Sequence, residues 1–126
     1  MIINHTAAII VTGGIPSESA GTSGELLHSD GSPWCTLPDL PEARYDHTQT
    51  GLEVCGGWMW NTCVRLSEGS WTPSHQLLEQ RGDHCSWASA AGTLLMGGSN
   101  SVDTGELLDA NTRHSVTSFP LKYSTQ

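Results

Sequence analysis

A glycine doublet closes an apolar run three times in this chain, and that recurrence limits its possible folds more than anything else in it. The runs are Ile9-Ile10-Val11-Thr12-Gly13-Gly14, Leu52-Glu53-Val54-Cys55-Gly56-Gly57 and Leu94-Leu95-Met96-Gly97-Gly98. Their first glycines stand 43 and 41 residues apart. A period of that size marks an array of supersecondary units, none of which buries its apolar face alone. Other signals keep the same beat. Gly24-Glu25-Leu26-Leu27 returns as Gly105-Glu106-Leu107-Leu108, with Cys63-Val64-Arg65-Leu66 in the middle copy. Gly31-Ser32-Pro33-Trp34 is echoed by Gly69-Ser70-Trp71. Arg44-Tyr45-Asp46-His47 is echoed by Arg81-Gly82-Asp83-His84, and more faintly by Lys122-Tyr123-Ser124-Thr125.

Within each unit the pattern reads as short strands broken by turn residues. Glu53-Val54-Cys55 and Val64-Arg65-Leu66 alternate, and no stretch carries a helical period over 11 or more residues. Residues 15–23, 58–61 and 99–104 are loops, each beginning directly after a doublet. The expectation is a single all-β region, 1–126, divided near 1–43, 44–81 and 82–126.

In this order the motifs resemble the kelch repeat: an apolar strand ending in Gly-Gly, a variable loop, a strand, a turn, then a Trp near the outermost strand. The doublet is present in all three units, and the Trp in two, as Trp34 and Trp71. The third unit has no Trp at that place in the repeat, where Arg113 to Phe119 stands. The His-to-doublet stretch is full length only from His84 to Gly97, so shorter inner strands are expected in the first two units. The resemblance implies four-stranded antiparallel blades of a β-propeller, its glycines placed where backbones crowd near the axis. Such propellers usually close with six blades, so three make half of a ring. Three blades leave edges that invite association. The expected explanations are a fragment of a larger product, a homodimer closing a six-bladed ring, or an open arc covered by another protein.

Charge narrows the partners. Thirteen acidic residues face five basic ones, a net charge of -8, which argues against nucleic acid and against an anionic membrane surface. No apolar run approaches the ~18 residues of a membrane helix, and the opening residues lack the basic start of a signal peptide. The compartment stays open: four cysteines form no C-x-x-C pair, and Asn4-His5-Thr6 is a glycosylation sequon.

Candidate binding residues follow from motif and resemblance together. Arg44 and Arg81, with Lys122 as a third copy, resemble the arginines that approach the channel mouth in kelch adaptors and bind acidic peptides; guanidinium forks suit carboxylates. The alternative is that each Arg is held within its own blade. Trp58 and Trp60 sit in a loop just after a doublet, where two aromatics make anchors for a protein or a sugar. Asp46-His47 and Asp83-His84 recur with the unit, which favours a structural role, since a catalytic group is needed once. Cys55 and Cys63 flank the loop between neighbouring strands and are the first candidates for a disulfide, if the compartment is oxidising; Cys35 with Cys85 would remain. No metal or cofactor is expected.

The expected function is a non-catalytic scaffold that binds a protein partner through the loops after each doublet. A carbohydrate-binding propeller is the alternative. A further reading follows from kelch-like copper radical oxidases resembling galactose oxidase. They need a Tyr–Cys crosslink and further Tyr and His ligands, whereas this chain has only Tyr45 and Tyr123.

Overall fold

The computed structural model describes residues 8–14, 21–28, 35–99, 103–109 and 115–120. These form an all-β structure of three antiparallel sheets, and the chain gathers into two compact units, Met1–Ala43 and Arg44–Gln126.

The first unit holds one sheet of β1 (Ala8–Thr12), β2 (Gly24–His28) and β3 (Cys35–Leu37), ordered β1-β2-β3. Its register pairs Thr12 with Gly24 and Gly24 with Leu37. A Cβ on Gly24 would lie 3.3 Å from that of Leu37, so the glycine lets the third strand close in.

The second unit holds two sheets. One orders β4 (Thr48–Thr50), β5 (Glu53–Cys55), β6 (Thr62–Ser67) and β7 (Ser70–Gln76) in sequence. The other orders β8 (Cys85–Ser89), β9 (Gly92–Met96), β10 (Thr104–Asp109) and β11 (Ser115–Pro120) in the same way. The first hairpin of the former is the shorter, three residues a strand against five in β8 and β9, as the His-to-doublet spacing predicts for that unit; β1, expected to be short on the same ground, has five residues. Pro73, which cannot donate to a ladder, lies on edge strand β7, where the register shifts between Cys63 and Val64. That bulge sets both Ser74 and His75 beside β6.

Cys55, Cys63, Leu77, Leu95 and Leu108 form one apolar cluster with side chains from both sheets of this unit. Val54, Val64 and Trp71 are buried as well, and β5 is buried at all three positions. The two sheets also meet through hydroxyls and a ring nitrogen: Thr48 Oγ1 to His84 Nε2 at 2.8 Å, and Thr50 Oγ1 to Ser86 Oγ at 3.1 Å. Among the described residues no helix is long and apolar enough to cross a membrane.

Candidate functional site

The three doublets share one backbone conformation. Gly13, Gly56 and Gly97 have φ of 66°, 67° and 69°, and Gly14, Gly57 and Gly98 have 112°, 114° and 109°. Both are regions that L side chains rarely enter, so each doublet can turn the chain off its strand only as glycine. In each copy the first amide donates to the residue before the next strand's glycine or cysteine: Gly13 to Ser23 O, Gly56 to Thr62 O and Gly97 to Thr104 O, at 2.9, 3.0 and 2.9 Å. Space is short too. A Cβ on Gly56 would stand 2.5 Å from Arg81 O, and one on Gly98 2.5 Å from Gly82 O.

Arg44 and Arg81 explain how the turn is held. Both side chains are fully buried. Arg44 Nη1 donates to Gly56 O and Thr62 O, each at 2.7 Å, and Nη2 donates to Thr62 Oγ1 at 2.7 Å. Arg81 repeats the set on Gly97 O at 2.9 Å, Thr104 O at 2.8 Å and Thr104 Oγ1 at 2.9 Å. Each guanidinium therefore clamps the carbonyls on both sides of the post-doublet loop, where charged donors make the stronger bonds. The structure gives these two arginines the alternative placement, inside their own sheets, and neither offers its guanidinium at the surface.

The position beside each guanidinium on the neighbouring strand differs. Arg81 Nε donates to Glu106 Oε2 at 2.8 Å, with both side chains at 0% exposure, and Nη2 lies 3.2 Å from Glu79 Oε2. Glu106 also accepts the amides of Leu78 at 2.7 Å and Glu79 at 3.3 Å. In the other sheet Val64 takes the place of Glu106, and the Arg44 guanidinium lies 5.1 Å from the Trp60 ring centre.

The Arg44 clamp carries the exposed aromatic turn. Trp60 N donates to Gly57 O at 3.1 Å, Trp58 N to Tyr45 O at 2.9 Å, and Gly57 N to Arg81 O at 2.8 Å. The Trp58 ring stacks on Tyr45 at 6.4 Å and 13°. Even so, Trp58 is 44% exposed and Met59 62% exposed. Ser99 N repeats the Trp58 bond on Gly82 O at 2.8 Å. The structure thus separates Trp58, at the surface, from Trp60, which lies against Arg44. Lys122, Trp34 and the Asn4 sequon lie outside the described residues.

The Asp-His pairs are also repeated geometry. Asp46 and Asp83 take left-handed φ of 58° and 52°, and Asp83 N donates to Asp46 O at 2.9 Å. Partial desolvation, then the nearby Asp83 charge, raises the Asp46 carboxyl above its usual range. His84 is buried, and that burial, with the Arg81 charge next and His47 after it, lowers its pKa to about 4; a backbone bond at Arg81 and the Glu106 charge oppose the shift.

Cys55 and Cys63 are joined in a disulfide across the register pair of β5 and β6, with Cα atoms 4.1 Å apart. Cys85 is an exposed thiol, and the Cys35 side chain lies outside the description. Sequence reasoning missed Thr62, Thr104, Glu106, Glu53 and His75. A signal for the clamps exists in Leu40-x-Glu42-x-Arg44 and Leu77-x-Glu79-x-Arg81: both leucines are buried, and their amides donate to Thr22 O and Asn61 O, each at 2.7 Å.

No family model matches the chain, and no curated protein matches it.

Proposed function

We propose that the chain is a kelch-type, non-catalytic scaffold that binds a protein partner through the loops following its glycine doublets, with the Trp58–Met59 turn as the main contact. The observation that carries this is a turn with exposed large side chains on a fixed base. Trp58 and Met59 are 44% and 62% exposed, while the amides of Gly57 and Trp58 and the carbonyls gripped by Arg44 are all bonded. Preorganised aromatic anchors lose little freedom on binding, which favours affinity.

In support of kelch blades stand the recurrent doublet conformation, the four-stranded sequential sheets and the sheet spans 8–37, 48–76 and 85–120. On this reading the three blades are half of a six-bladed ring, completed by a second copy or by further chain. A solution mass of about 27 kDa, twice the 13.5 kDa chain, is the outcome expected of a closed dimer.

The binding reading is tested by selecting displayed peptides on the purified chain and probing a glycan array in parallel. Expected are peptide ligands whose binding falls at least ~10-fold in Trp58→Ala or Met59→Ala, the loss typical of an anchor. Glycan binding with no peptide ligand would transfer the site to carbohydrate, the alternative function. Peptide binding indifferent to both substitutions would remove the turn from the site.

A further inference from the structure

Glu53 on β5, Cys63 on β6 and His75 on β7 project from three adjacent strands, and their potential ligand atoms lie within 4.8 Å of one another. Cys63 is fully buried, Glu53 is 5% exposed, and the His75 side chain is 11% exposed. The outer partners of a metal site are already in place. His75 Nε2 donates to Asp109 O at 2.8 Å, which turns Nδ1 toward Glu53 Oε2, 2.5 Å away. Ser74 donates to the same carboxylate oxygen and fixes its direction. A metal-bound histidine is usually oriented in this way, by a carbonyl on its far nitrogen, while a ligating carboxylate is itself hydrogen-bonded. Sulfur, nitrogen and oxygen donors together suit Zn2+. One feature withholds the site: the Cys63 sulfur is spent in its bond to Cys55.

We propose that reduction of the Cys55–Cys63 disulfide turns this cluster into a zinc site, with Glu53, Cys63 and His75 as ligands and the Cys55 thiolate, released beside Cys63, as the fourth. A dithiol reductant supplies two electrons and two protons and leaves as its own disulfide. On metal binding both cysteine thiols lose their protons to solvent, and so does the hydrogen bond between His75 Nδ1 and Glu53, whose proton the cation replaces. A low-molecular-weight disulfide reverses the step: it takes the two electrons of the sulfurs and two protons from solvent, leaves as two thiols, re-forms the Cys55–Cys63 bond and expels the ion. The site therefore couples zinc affinity to thiol redox state, independently of the binding turn.

The test is a Co2+ titration of the full chain carrying Cys35→Ser and Cys85→Ser, reduced and oxidised, followed by thiolate-to-cobalt absorption and then by Zn2+ competition. Expected is one equivalent bound with that absorption when reduced, and none when oxidised. His75→Ala and Glu53→Gln, reduced, should each bind at least ~10-fold more weakly. Should reduction alone loosen the fold, the metal restores near-UV circular dichroism in the parent and not in His75→Ala. Equal affinity in the oxidised protein, equal affinity in reduced His75→Ala, or absent thiolate absorption would each overturn the site.

Discussion

The sheets β4–β7 and β8–β11 apply one clamp to two different chemistries. In both, a buried arginine grips the doublet carbonyl and the threonine that opens the next strand. In the second of them the charge meets a buried carboxylate, Glu106. In the first there is Val64 at that position, an aromatic ring beside the guanidinium, and a disulfide beneath. The covalent bond falls at a register pair, Cys55 with Cys63, that is Met96 with Gly105 in the other sheet. There the glycine makes room for Phe119, whose ring a Cβ would approach to 2.6 Å. The clamp is thus the shared requirement, and each sheet fills the space around it by its own means.

The largest separation should come from Arg81→Met set against Arg44→Met. The former strands Glu106 as an uncompensated buried charge, a loss of about 3–5 kcal/mol. The latter breaks the bonds to Gly56 O, Thr62 O and Thr62 Oγ1, with Val64 and no buried carboxylate at the position matching Glu106, and should cost about 1–3 kcal/mol. Urea unfolding measures both, and equal losses would break the distinction between the two surroundings.

Acid comes next and acts where the sheets meet. The folded protein holds His84 neutral, with a pKa of about 4 against an ordinary 6.5. Protons therefore bind the unfolded chain first as pH falls below about 6.5. The stabilisation is complete above that value, declines on the way down, and is gone below about 4, a change of ~3 kcal/mol. His84→Gln should flatten the melting temperature between pH 7 and pH 4; an unchanged slope would relocate the acid sensitivity.

Reducing the disulfide touches only the sheet that has one. Its closed loop spans a sequence separation of 8, worth about 2–3 kcal/mol in the chain-entropy account. Amide exchange should quicken first in β5 and β6 and spare β9 and β10. The smallest contrast is expected of Thr62→Val and Thr104→Val, near ~1 kcal/mol each. Thr104 should cost more, because its hydroxyl also donates to Glu79 at 2.6 Å.

Why the sequence exposed some of this and hid the rest is a matter of range. Doublets and strands are local: φ values near 67° and 112° leave little choice but glycine, so the requirement is written in the residue itself. The shorter β4–β5 hairpin was legible as spacing for the same reason. A buried arginine is not local. Arg44 reads as a surface cation until its partners 12 and 18 residues away are known. Glu53, Ser74 and His75 meet because a bulge re-aims β7, and nothing in Thr72-Pro73-Ser74-His75 announces the direction of either side chain. Trp58 and Trp60 look alike in sequence, and only the turn at Gly57 decides which one meets solvent.

That each arginine holds its own doublet is tested most directly by residue-resolved amide exchange in Arg44→Met and Arg81→Met under native conditions. The account predicts lost protection at Gly56 and Trp58 in the former, with Gly97 and Ser99 unchanged, and the converse pattern in the latter. Protection that stays intact at the matching doublet, or falls evenly over both sheets in each variant, would contradict it.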